Sequence, residues 1–119
     1  MKDSFELMKK MNQRNILKMI RDEGPISRAE IAEKIGLAPA TVSNNVKKLL
    51  EMNLIEETTK KESRGGSKGG RRAILLELNP EGAYIVGFEW GINVIRGVLL
   101  NLNAEIIESE IKEVTSYKF

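Results

Sequence analysis

The stretch at residues 27–50, SRAEIAEKIGLAPATVSNNVKKLL, constrains the fold of this chain more than any other. It predicts two short amphipathic helices joined by a tight turn at Gly36, Leu37 and Ala38. Ser27 and Glu30 have capping-box spacing, so each can satisfy a backbone N–H that a helix start leaves without a partner. Ile31, Ala32 and Ile35 form the buried side of the first helix. Gly36 offers the left-handed residue that ends it. Pro39 suits the first turn of the second helix, where a missing N–H costs nothing.

The second helix, over 39–52, divides by rotation. At about 100° per residue, Val42, Val46, Leu49 and Leu50 fall on one side and face a core. Opposite them lie Ala40, Thr41, Asn44, Lys47 and Lys48, with Ser43 on one flank and Asn45 on the other. Small residues permit close approach to a DNA groove, hydroxyls and amides read base edges, and lysines hold phosphates. A solvated helix face has the same make-up. The helix alone does not separate the two.

Upstream, Ile16, Leu17 and Ile20 make an apolar stripe at helical spacing from about Asn12, stopped by Gly24 and Pro25. Arg14 and Asn15 stand near its start, either against a phosphate or in solvent. Residues 1–11 carry Phe5, Leu7, Met8 and Met11 among lysines. They read equally as a helical extension that packs on a partner and as a frayed end.

Downstream, residues 54–59 and 73–78 are extended in pattern. Between them, KKESRGGSKGGRR at 60–72 holds six basic residues, one acid and four glycines. Two strands around such a tip, directly after a helix-turn-helix, make a wing. Arg64, Ser67, Lys68, Gly69, Gly70, Arg71 and Arg72 are its candidate groove contacts, with the arginines suited to a narrow minor groove. A phosphate-binding P-loop is the rival. Gly65 and Gly70 have its separation, but Arg71 and Arg72 stand where Lys and Ser/Thr are required, and a strand follows instead of a helix. A basic hairpin without function remains open.

The net charge of +2 averages two unlike parts. Residues 1–72 hold sixteen Lys and Arg against ten Asp and Glu, a net +6; residues 73–119 hold three against seven, a net −4. A basic front and an acidic back suggest that only the front meets a polyanion. Cysteine and histidine are absent, which removes disulfides, the usual zinc ligands and the commonest general base. A reducing cytoplasm is the expected compartment. No signal-peptide pattern opens the chain, and no apolar run is long enough to span a bilayer.

Asn79, Pro80, Glu81 and Gly82 have the residues of a type I turn. Strands follow at 84–90, 94–100 and 105–114, with connections short enough for an antiparallel meander. The first two are apolar at nearly every residue, which predicts cover on both faces. That cover would come from the helical part and a second copy, or from the remainder of a larger fold. The expected fold is therefore α+β: a winged helix-turn-helix over 1–80 followed by a short antiparallel β-meander over 81–119.

These residues together resemble a known family. MNQRNILKMIRDEGPISRAEIAEKIGLAPATVSNNVKKLLEMNLIEE, followed by GGSKGGRRAILLELNPEGAYIVGFEWG, is similar to the N-terminal part of the ROK family of repressors and sugar kinases. The resemblance runs from about Asn12 to Glu110. It implies a winged-helix DNA-binding domain followed by the start of an actin-like, sugar-binding domain. Family repressors act as dimers or tetramers on palindromic operators, and a sugar or protein partner relieves repression. The family's kinases carry an ATP-phosphate loop of the form D-x-G-G-T. Here the matching positions are Glu89, Trp90, Gly91, Ile92 and Asn93, a degenerate version in which the β-branched Ile92 obstructs a phosphate. The family's sugar site and Cys/His zinc motif lie farther along than residue 119, so no cofactor or metal is expected.

The leading expectation is a DNA-binding transcriptional regulator, a repressor and not an enzyme, that binds double-stranded DNA as a homodimer away from any membrane. Ala40, Thr41, Ser43 and Asn44 would read bases. Arg14, Ser27, Arg28, Lys47 and Lys48 would hold phosphates. A sugar-kinase remnant is disfavoured by the altered loop. A protein-interaction module, in which the meander pairs with another chain and the basic segment only solubilises, is the third possibility.

Overall fold

The computed structural model describes residues 2–59 and 73–115. The wing candidates Arg64, Ser67, Lys68, Gly69, Gly70, Arg71 and Arg72 lie outside the described residues. The elements run α1 (Lys2–Glu23), β1 (Ile26–Ser27), α2 (Arg28–Ile35), α3 (Pro39–Glu51), β2 (Ile55–Thr58), β3 (Leu75–Leu78), β4 (Ile85–Trp90), β5 (Val94–Leu100) and β6 (Ile106–Glu113). They form two compact units, Met1–Asn79 and Pro80–Phe119.

In the first unit α1 is one helix of 22 residues, so the opening from residue 2 to 11 is helical and not a frayed end. Its last turns bury Ile16 and Ile20, while Phe5, Leu7, Met8 and Met11 are 52–58% exposed. Gly24 ends it: its N–H donates to the Ile20 carbonyl at 2.9 Å, and a Cβ there would collide with that carbonyl. Arg21 donates to Asp22 at 2.7 Å on this helix, which holds the Asp22 carboxyl below its ordinary range and raises Arg21. Both are exposed, so the pair adds little to stability.

The chain then makes a two-residue strand that the sequence pattern did not predict. β1 pairs antiparallel with β3, Ile26 opposite Leu76 and Ser27 opposite Leu75. β3 also pairs with β2, from Ile55 opposite Leu78 to Thr58 opposite Leu75, giving the sheet order β1-β3-β2. Ile26 and Leu76 carry the sheet into the same core as Ile16, Ile20, Ile31, Val42, Val46 and Leu49. Each such side chain contributes about 1.5–3 kcal/mol on burial. The exit from α3 is fixed by Asn53, which takes a left-handed φ of 60°. Its carbonyl accepts from Asn79 Nδ2 at 2.9 Å, and Asn79 N–H donates to Leu54 at 3.0 Å, tying the ends of β2 and β3 together.

The second unit is a meander of order β4-β5-β6, with strand ends within about a residue of those expected. Ile85 stands opposite Leu100 and Trp90 opposite Ile95, and Glu89 faces Arg96 across the strands. Asn101 organises the second connection. Its Oδ1 accepts from the N–H groups of Asn103 and Glu105, both at 3.0 Å. Tyr84 donates to the Glu81 carboxylate, which raises the Tyr84 hydroxyl above its ordinary pKa.

Within this unit the apolar strands have no cover of their own. Phe88 is 75% exposed, Trp90 73% and Ile92 85%. The unit's three strands form a single sheet.

Candidate nucleic-acid interface

The site is built from α2, the turn after it, and α3. Ser27 caps α2: its Oγ accepts from Glu30 N–H at 3.2 Å. The return arm of the expected capping box differs. Glu30 Oε1 accepts from the Ser27 hydroxyl at 3.2 Å instead of reaching the backbone. Gly36 ends α2 at φ 77°, with its N–H on the Ala32 carbonyl at 2.9 Å. Pro39 occupies the first turn of α3 and Ala38 stands at its cap without a side-chain bond. Leu37 packs on the core and fixes the turn between the helices.

α3 is locked by Val42, Val46 and Leu49, all buried. That anchoring sets which side chains face outward: Ala40, Ser43, Asn44, Lys47 and Lys48 are exposed, and Thr41 is half-buried. Neither Lys47 nor Lys48 is held in an ion pair among the described residues. An amide and a hydroxyl ahead of two unpaired cations, on a helix that cannot roll, can donate and accept at base edges while the lysines neutralise phosphates.

Rotation alone puts Asn45 on the polar flank, but the structure buries it. It lies beside Leu49 on the helix circumference, and its Nδ2 donates to the Thr41 carbonyl at 2.8 Å. A signal for this was present, since positions 41 and 45 have the spacing of that bond.

The phosphate candidates divide. Arg28 and Ser43 line one shallow groove between α2 and α3, together with Ala29, Leu37 and Pro39. The Arg28 guanidinium is paired with Glu57 of β2 at 2.9 Å, so a phosphate would compete with or share that contact. Glu57 is a neighbour that sequence spacing gave no means of finding, because 29 residues separate the partners. Ser27 has its proton on Glu30 and would have to release it to donate to a phosphate. Arg14 is exposed on α1, without an ion pair among the described residues.

In the second unit, Glu89 and Trp90 close β4, and Gly91, Ile92 and Asn93 form the tip before β5. Gly91 N–H donates to the Val94 carbonyl at 2.8 Å, and the Asn93 carbonyl accepts from Val114 at 2.9 Å. The first bond closes the turn, and the second ties its tip to the residue that follows β6. No helix of the described chain is long and apolar enough to cross a membrane.

Residues 12–56 match a winged helix-turn-helix DNA-binding family. The chain is 40% identical over 100 residues to the xylose repressor of Bacillus spizizenii, an alignment covering 84% of this chain and 25% of the repressor. To the N-acetylglucosamine repressor of Escherichia coli O6:H1 it is 32% identical over 107 residues, covering 90% and 25%. The crystal structure of a ROK family transcriptional regulator, a homologue of the E. coli Mlc protein, superimposes with a TM-score of 0.73 at 29% identity. That match covers 91% of this chain and 26% of the other. The chain thus spans about a quarter of the length of the relatives it matches. It belongs to the ROK family, and carries the winged-helix N-terminal region of that family's repressors with the strands that follow.

Proposed function

We propose that this chain is the operator-binding part of a transcriptional repressor of sugar-utilisation genes, binding a palindromic site as a homodimer. The observation that supports this most is the division of α3. Val42, Val46 and Leu49 hold one face in the core, which leaves Ser43, Asn44, Lys47 and Lys48 exposed on a fixed helix. In this reading α3 enters the major groove, with Ala40, Thr41, Ser43 and Asn44 against base edges. Lys47, Lys48 and Arg14 hold phosphates, and Arg28 joins them by exchanging Glu57 for the backbone.

The basic segment at 60–72 works the adjacent minor groove through Arg71 and Arg72. The DNA-binding domain is taken to run over 1–80, and residues 81–119 to begin the family's actin-like domain. A sugar effector acts from a site beyond this chain. With no histidine or cysteine in its sequence and Ile92 standing where the family's phosphate loop has its second glycine, the chain is read as non-enzymatic.

The test is selection of duplexes from a random pool by the intact protein, followed by titration at several salt concentrations. If about six phosphates are neutralised, log affinity falls against log salt with a slope of about −5. The selected duplex should bind at least about a thousandfold tighter than random duplex. No enrichment, together with a flat salt response, would sink the repressor reading and favour the interaction module.

A further inference from the structure

We propose that Ala40 and Asn44 together make α3 a reader of A·T pairs, with the Asn44 amide on adenine and the Ala40 methyl group packed on the 5-methyl group of a nearby thymine. The inference rests on the operator-binding reading above and names the bases that this helix selects.

The groups that α3 can carry into a groove are few. Residues 37–46 contain no Lys, Arg, Asp or Glu. Guanine is read by a bidentate Arg or Lys on O6 and N7, and cytosine by a carboxylate that accepts from its N4 amino group. The first two turns of α3 hold neither kind of side chain. Arg28 is the one arginine in α2 and α3, and its guanidinium is held by Glu57 of β2 at 2.9 Å. Ser43 is exposed, but a hydroxyl both donates and accepts and so favours no base. What remains is an exposed amide, which matches adenine N6 and N7, and an exposed methyl group, which matches thymine.

Position agrees with residue type. Ala40 and Asn44 lie within about 40° of each other around α3 and about 6 Å apart along it. Val42 and Val46, on the other side of the helix, are buried, so this face is fixed outward. Ala38 at the cap and Pro39 after it are both exposed, and neither side chain can hydrogen-bond in competition for the same base edge. With bases about 3.4 Å apart along a strand, the adenine and the thymine should stand no more than about two base pairs apart.

Base analogues in the duplex selected by the intact protein test this atom by atom. Each thymine in turn is replaced by uracil, which removes only the 5-methyl group, and each adenine by 7-deazaadenine, which removes the N7 acceptor. One uracil position per half-site should weaken binding about fourfold, the worth of one buried methyl group. One 7-deazaadenine position, within about two base pairs of it, should weaken binding about fivefold. Ala40→Gly should bind the thymine and uracil duplexes within about 1.5-fold of each other. Asn44→Ala should lose its response to 7-deazaadenine and keep the uracil penalty. Each comparison sets two duplexes against one variant, so a change in folding stability cancels, and circular dichroism checks that the helices are retained.

The assignment is overturned if no uracil weakens binding, or if the uracil penalty is the same in Ala40→Gly as in wild type. It is also overturned if 7-deazaguanine, and not 7-deazaadenine, carries the purine penalty, which would give base reading to Lys47. In those cases a selected, salt-sensitive duplex still stands, and the repressor reading with it. A random pool that yields no preferred duplex removes both.

Discussion

Asn44 and Asn45 are adjacent and identical in type, and the helix sends them to opposite environments. Asn45 is buried and donates to the Thr41 carbonyl, while Asn44 stands exposed on the outward face. On the proposed function Asn44 is a base-reading amide. Asn44→Ala should cost about 1–3 kcal/mol on the best duplex and flatten the preference at one position of it. Selection repeated with the variant checks this. Gly24 and Gly36 form a second contrast. Gly36 needs its φ of 77° and has nothing within 4 Å of a Cβ, whereas Gly24 has no room for one against the Ile20 carbonyl. Either glycine changed to alanine should lower stability by about 1–3 kcal/mol, read from urea unfolding. Asparagine should recover much of the loss at position 36, where the difficulty is conformational, and none at position 24, where it is space.

At the scale of elements, the capping chemistry of α2 and the dry face of α3 were legible from residue type and spacing, because both are local. Ser27, Gly36 and Pro39 act within a turn of themselves, and Val42, Val46 and Leu49 repeat with the helix. Two features were not legible. β1 is two residues long, too short to carry a pattern, and exists because Ile26 and Ser27 meet β3. The Arg28–Glu57 pair joins α2 to β2 across the fold. That pair yields a prediction: Glu57→Gln removes the competitor for Arg28. If Arg28 holds a phosphate, DNA affinity should rise and the salt slope steepen by up to about one unit. An unchanged slope would remove Arg28 from the contact set. For the basic segment, Arg71→Ala with Arg72→Ala should weaken binding most where the flanks are A/T-rich. Equal weakening on all flanks would mean phosphate contact only.

At the scale of the molecule, the two units differ in how they are held. Among the described residues every buried apolar side chain belongs to the first unit, and the one buried residue of the second is Asn101. A three-stranded sheet without a packed face is held mainly by its ladder and cross-strand pairs, which gives it low local stability. Amide exchange on the intact chain should therefore protect α3, β3 and the second half of α1 by far more than β4 and β6. Comparable protection in both units would show that the meander is covered in solution, and a concentration-dependent change in it would point to a second copy as the cover.

The sequence by itself determined the helix-turn-helix, the Ser27 cap and Gly36 stop of α2, the polar face of α3, and the existence and near-limits of the three meander strands. These follow from periodicity and turn chemistry, which act over a few residues. Only the tertiary structure decided that residues 2–11 belong to α1 with their apolar side chains exposed and that Asn45 is buried. It also decided that Arg28 is paired and that the three meander strands form a single sheet within their unit. Each of those outcomes depends on what lies opposite a side chain in space, which a pattern along the chain does not encode.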